Sequence, residues 1–278
     1  MIRFFLAGLP VIMALVAQPG FAQAPAGSRP TPLAAHTAIY DLALDTSRAV
    51  RGVDSARGRL VFEFTGSACE GYATSFRQVV AIGAAGQDIV MDVRTTNFED
   101  GEGKSFRYSS ETSQNGDRRD ETDGNATRES AGITATITKP KPERAEIAGD
   151  VVFPTEHLKR ILAAARAGQT ILEVPVYDGA DSGTKHYLTT AVIGRRIGPG
   201  EGEIEAQARM EPLGTLPRWP VTISYFEAGK DSATPAYSIA FELFENGVSR
   251  ALVIDYNDFR LRGTLQQLKF STEPPCDR

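Results

Sequence analysis

From Ala38 onward, apolar side chains recur mostly at every second position. Ala38, Tyr40, Leu42 and Leu44 alternate with residues that include Asp41 and Asp45. Leu60, Phe62 and Phe64 alternate with Arg59 and Glu63, and Ile89, Met91 and Val93 with Asp88, Asp92 and Arg94. Successive side chains on a strand point to opposite faces, so each run buries one face and wets the other. Short strands broken by glycine and polar turns predict an all-β, mainly antiparallel sheet that curls into a barrel or sandwich. No repeat and no mid-chain linker divides it, so residues 37–278 are expected to form one domain.

The sharpest local signal is Asn246-Gly247, between Tyr237–Glu245 and Val248–Tyr256. A two-residue type I′ turn suits this dipeptide, because both central residues then need positive φ. That turn sets Tyr237 opposite Tyr256, Ile239 opposite Ile254 and Phe241 opposite Leu252, all on one face. A further strand is expected over Asp258 to Phe270. One segment breaks the period of two. Leu158, Ile161, Leu162 and Ala165 fall at i, i+3, i+4 and i+7, which predicts one short helix laid on the sheet and plugging an open end of the curl. Thr155 is its expected N-cap, Glu156 suits the positive end of its dipole, and Gly168 suits C′. Residues 116–129 carry eight charges in 14 positions and read as the solvated tip of a long hairpin, with an interaction loop as the alternative.

The N-terminus reads as an address. Arg3 precedes a 14-residue, uncharged, mostly apolar run from Phe4 to Ala17, and Pro19-Gly20 follows. Ala22-Gln23-Ala24 places small residues at −3 and −1, so residues 1–24 are expected to be a signal peptide cleaved after Ala24. The run is shorter than the roughly 20 residues a membrane-spanning helix needs, and no cysteine near the cleavage site offers a lipid anchor. Periplasmic localisation in a bacterium follows as the expectation. Residues 25–36, with Pro25, Pro30 and Pro32, read as a flexible linker.

Composition removes several classes of function. The chain of 278 residues is 41% apolar and 23% charged, with a net charge of −5, which is ordinary globular composition with no basic footprint for nucleic acid. Two cysteines and three scattered histidines do not make a zinc or iron–sulfur site, so no metal or cofactor is expected. Gly103-Lys104-Ser105 resembles the end of a phosphate-binding loop, but Phe98 stands where its first glycine belongs and strand-like residues follow. Gly198-Pro199-Gly200-Glu201-Gly202 reads as a turn. Ser182 lacks the glycine two positions before it that a nucleophile elbow requires. Asn125-Ala126-Thr127 is a glycosylation sequon in form only. His36, His157 and His186 are the sole candidates for histidine-dependent catalysis, and no catalytic set is expected from them. In an oxidising compartment Cys69, in the turn Gly66 to Gly71, and Cys276, in the tail, either pair or remain two free thiols.

A set of landmarks in order resembles a known family. They are His36-Thr37-Ala38-Ile39-Tyr40-Asp41-Leu42, Cys69-Glu70-Gly71-Tyr72 and Phe153-Pro154-Thr155-Glu156-His157. Arg218-Trp219-Pro220-Val221, Ser224-Tyr225-Phe226, Asn246-Gly247-Val248-Ser249-Arg250, Asp255-Tyr256 and the terminal Cys276 complete them. From about His36 to Cys276 the chain is similar to the cell-envelope integrity protein EipB family of Gram-negative alphaproteobacteria. The resemblance implies a periplasmic β-spiral, a broken open β-barrel, with a disulfide between Cys69 and Cys276. It also implies a part in envelope integrity and stress resistance, and it transfers no catalytic residue. A non-enzymatic envelope protein that binds other periplasmic or envelope proteins is therefore expected. A carrier of lipid or lipoprotein is the alternative, for which 14 Phe, 8 Tyr and Trp219 supply apolar surface, and an envelope hydrolase is the third reading.

Overall fold

The computed structural model describes residues 32–47 and 52–272. The signal segment with Ala24, most of the expected linker, and Cys276 lie outside the described residues. Strands β1 (His36–Leu44), β2 (Ser55–Ser67), β3 (Gly71–Ala84), β4 (Gln87–Glu99), β5 (Ser105–Gln114), β6 (Asp117–Glu129), β7 (Gly132–Lys139) and β8 (Glu143–Ala148) come first. Helix α1 (Pro154–Arg166) follows, then β9 (Ile171–Val176), β10 (Tyr187–Ile193), β11 (Arg218–Glu227), β12 (Tyr237–Phe244), β13 (Ser249–Asp255) and β14 (Arg260–Phe270). All fourteen strands form one antiparallel sheet in the order β8-β7-β6-β5-β4-β3-β2-β1-β14-β13-β12-β11-β10-β9. Every step in this order joins neighbouring strands in sequence, with an excursion through α1 outside it, except at β1, which pairs with β2 on one side and with the last strand β14 on the other. The sheet is open: β8 and β9 are its two edges. The chain just beyond β8 nonetheless touches the far edge, where Val152 N–H donates to Pro175 O and Tyr177 N–H to Val152 O, both at 2.9 Å.

The predicted alternation builds the concave face. On β1, His36, Ala38, Tyr40 and Leu42 are buried. Register sets Ala38 opposite Phe62 and Tyr40 opposite Leu60, so their side chains share the inner side. Gly263 lies between Leu42 and Leu252 in the ladder, and a Cβ there would come within 3.2 Å of both side chains. A glycine is what lets those two leucines approach across β14.

Four expectations are corrected. The β12–β13 hairpin exists, but its loop has three residues: Phe244 N–H donates to Val248 O at 2.8 Å. Only Gly247, at φ +88°, is left-handed there, so this is not a type I′ turn. The extra residue would shift the register by one, and Ala251 at φ +52° absorbs it as a bulge. Ile239 therefore still faces Ile254, while Phe241 loses Leu252 as its ladder partner. Second, residues 116–129 are not a loop. They are almost all β6, and the turn is Asn115-Gly116. Their charges pair across strands, Lys139 with Glu121 and Asp123 at 2.7 and 2.8 Å, and Arg118 with Glu111 at 3.1 Å. Third, Thr155 is not the N-cap. Phe153 holds that position in an extended conformation, and Pro154 is the first helical residue. Fourth, the end of the expected linker is docked: Ala34 N–H donates to Asn246 O at 2.9 Å, and His36 is 2% exposed.

The helix itself and Gly168 at C′, φ +72°, are as expected. Ile161, Leu162, Ala164 and Ala165 pack on Ala191, Trp219, Val221 and Leu243 of the inner face of β10 to β12. Arg166 bonds Glu245 at the β12–β13 turn, and Lys159 lies 4.7 Å over the Tyr72 ring at the start of β3. The helix thus reaches loops from both halves of the curl at one end of the sheet.

Candidate functional site

Away from α1, the curl brings β3 and β4 to face β12 and β13 without contact between all their inner side chains. The space left is a cavity of about 480 Å³. Its floor is Tyr40 of β1 with Leu60 and Phe62 of β2; one wall is Phe76, Gln78 and Val93. The opposite wall is Tyr237, Ile239 and Phe241 of β12 with Leu252 and Ile254 of β13, and Ser249 and Tyr256 stand at the two ends of β13. No charged residue lines it. Its volume lies within the roughly 300–1,000 Å³ common for small-molecule sites, and a mostly apolar wall with a few polar atoms is their usual make-up.

Those polar atoms are positioned by long-range contacts. Tyr40 Oη donates to Ser249 O at 2.6 Å, and burial pushes the phenol up to about 12. Gln78, 8% exposed, reaches across the trough from β3 and donates from Nε2 to Tyr256 Oη at 3.3 Å. Its Oε1 is buried with no hydrogen-bond partner. Burial also raises the Tyr256 phenol above its ordinary value.

A second constellation fixes the helix that closes the other end of the trough. Glu99, the last residue of β4, is fully buried, and its carboxylate accepts from Thr155 N–H at 2.7 Å and Glu156 N–H at 3.0 Å. It satisfies two of the donors that a helix start leaves unpaired. Burial raises the Glu99 carboxyl, while the two helix N–H groups and Lys159 pull it down.

The three sequence candidates for catalysis are not brought together into a set. His36 packs against Phe62, with ring centroids 5.7 Å apart, and its Nδ1–H donates to Ala34 O at 2.7 Å. His157, on α1, meets Thr189 Oγ1 at 3.1 Å. That hydroxyl donates to Val174 O at 2.7 Å, so His157 Nε2–H is the donor to it. Burial holds the His157 imidazole down at about 4, and Arg160 adds in the same direction. His186 is half-buried just before β10, and burial lowers it as well. Ser182 bonds Thr184 Oγ1 at 2.8 Å, not a histidine. No group of three or more histidine, cysteine, aspartate or glutamate residues among the described residues is placed to hold a metal ion.

Sequence reasoning missed Gln78 and Glu99, and it named Tyr256 as a hairpin and landmark residue without its contact to Gln78. The polar and aromatic positions of β3 carried no motif, and Glu99 acts on a helix 56 residues away.

The geometry defines a class: a coiled, open antiparallel sheet with one helix packed in one end of its trough and an apolar cavity in the rest. The comparisons place it further. The EipB-like family model matches residues 28–272, so the chain belongs to the EipB-like family. It is 36% identical over 251 residues to the cell envelope integrity protein EipB of Brucella abortus, covering 90% of this chain and 88% of that one. It is also similar to a crystal structure of a beta-barrel-like protein of a domain of unknown function from Brucella abortus. There the TM-score is 0.79 at 35% identity, over 87% of this chain and all of the other.

Proposed function

We propose that this protein is exported, with its signal removed after Ala24, to act in the periplasm in maintaining envelope integrity without catalysing a reaction. The observation that carries this is the 36% identity, along nearly the whole of both chains, to a protein named for cell envelope integrity. The separate, internally satisfied surroundings of His36 and His157 support a non-catalytic role. The test is deletion in the host, scored by survival under detergent and cell-wall antibiotics. Restoration by the wild-type gene and equally by a variant with His36, His157 and His186 all replaced is expected. Restoration by the wild type alone would favour the hydrolase reading.

The cavity favours a second, narrower reading: the protein carries a lipid or the lipid part of a lipoprotein. Native mass spectrometry of protein taken from its own envelope tests it, a co-purifying lipid mass being the expected result.

The same proposal includes a bridge between Cys69 and Cys276. Phe270, where β14 ends, pairs with His36, which pairs with Phe64 of β2, close before the Cys69 turn. Two strand spacings are roughly 10 Å, and six residues of chain reach up to about 20 Å. Closing so long a loop contributes up to about 5 kcal/mol. Alkylation of the intact, denatured, unreduced protein is expected to add no mass; two added alkyl groups would refute the bridge.

A further inference from the structure

The cavity holds more information than its volume. A buried amide oxygen without a partner is costly, because it gives up water and gains nothing in return. Gln78 Oε1 is such an atom, on a side chain more than nine-tenths buried, in a wall that is otherwise apolar. The other half of that amide is already committed to Tyr256 Oη. Across the trough, the Tyr40 hydroxyl is committed to Ser249 O. The cavity therefore offers a ligand one unmet acceptor, Gln78 Oε1, beside the Tyr256 hydroxyl, whose oxygen accepts from Gln78 and whose proton points elsewhere, and no charged side chain to neutralise an anionic group. An occupant that fits must be uncharged where it is enclosed, and it must bring one donor to the level of Gln78.

We infer that the cavity takes a neutral, chain-like lipid whose apolar body carries a hydroxyl or amide N–H, and that this donor meets Gln78 Oε1. The inference rests on the carrier reading above and specifies its ligand. A hydroxylated or amide-linked acyl chain has this chemistry. A plain hydrocarbon chain leaves the oxygen unmet, and a carboxylate or phosphate at that depth would lie in an apolar wall without a counter-charge.

The test uses the full mature chain and displacement of the uncharged dye N-phenyl-1-naphthylamine from the cavity. The probes are 1-dodecanol, 1-methoxyundecane and dodecanoate at neutral pH. The alcohol and the ether have the same number of heavy atoms, but only the alcohol donates. One neutral hydrogen bond is worth about 0.5–1.5 kcal/mol net, so dodecanol should bind about two- to twelvefold more tightly than the ether, and more tightly than dodecanoate. The variant Gln78→Leu should bind the two equally while keeping the ether's affinity, which also shows that it has folded. If both neutral probes bind the wild type equally, or dodecanoate binds as well as the alcohol, the assigned ligand chemistry is wrong and the carrier reading survives. If none displaces the dye, both fall together.

Discussion

Strand β12 runs through two different environments along one face. Leu243, near its end, is 1% exposed and packed beneath α1. Ile239, four residues earlier and so on the same face, is only half-buried and lines the cavity. The alternation that turns both inward is identical. What differs is whether a second layer lies over them. A curled sheet of this width leaves more room than its own side chains fill, and one 13-residue helix covers only part of it. The covered part is core; the uncovered part is a cavity.

The sharpest way to break the contrast is to remove a side chain on the covered side. Leu243→Ala deletes a fully packed group between sheet and helix and should cost about 4 kcal/mol. That corresponds to a fall in melting temperature of roughly 10 °C for a chain of this size. Thermal unfolding checks it, and a loss below about 1 kcal/mol would mean that α1 is loosely held.

Next comes the group that anchors the helix start. Glu99→Ala leaves two helix N–H groups without their acceptor in a buried place and should cost about 3 kcal/mol, as each unmet buried donor costs about 1–3 kcal/mol. Glu99→Gln keeps one oxygen as an acceptor and should lose about half as much. Denaturant unfolding of the two variants side by side reads the difference. Equal losses would assign the cost to packing instead of to hydrogen bonding.

This anchor marks the limit of what the sequence made legible. The period-two runs of β1, β2 and β4, the period-3.6 stripe of α1 and Gly168 are local signals, and each corresponds to an observed element. The hairpin at Asn246-Gly247 was legible as a hairpin but not in its register, because a bulge at Ala251 offsets a loop one residue longer than expected. The β6 strand was hidden because its outward side chains are charged and its charges look like a loop until Lys139 and Glu111 are placed beside them. The cavity was hidden for a further reason. Leu60, Phe62 and Ile239 announce that they point inward, but whether they meet a helix or an empty space depends on how far the whole sheet curls. That is a property of fourteen strands, not of any one of them.

A smaller effect separates the two regions by pH. His157 lies on the covered side, held neutral down to about pH 4 by burial, whereas an unfolded histidine takes a proton near 6.5. Between those values the unfolded chain binds more protons, so stability rises with pH through this window and is lost as pH falls through it. Asp178 slopes the other way: burial raises its carboxyl to about 6, so between about 4 and 6 the native state keeps a proton that the unfolded chain has lost. The difference in unfolding free energy between wild type and His157→Gln cancels the Asp178 contribution. It should shift against the wild type by about 2–3 kcal/mol from pH 7 to pH 4. A pH-independent difference would place His157 in contact with water.

The smallest expected effect is the most informative about the open region. Ile239→Ala removes as much side chain as Leu243→Ala does, from the same face of the same strand. Its side chain already borders the cavity, so its loss takes away fewer packed neighbours and enlarges a space that exists instead of creating one. The cost should be about 1 kcal/mol, near the centre of ordinary substitutions, and capacity should change more than stability. Uptake of N-phenyl-1-naphthylamine should increase in Ile239→Ala and stay at the wild-type level in Leu243→Ala measured well below its melting temperature. If the two variants lose the same stability, or if dye uptake follows Leu243 instead of Ile239, the helix does not divide filled core from open site, and the cavity has no claim to be where a ligand rests.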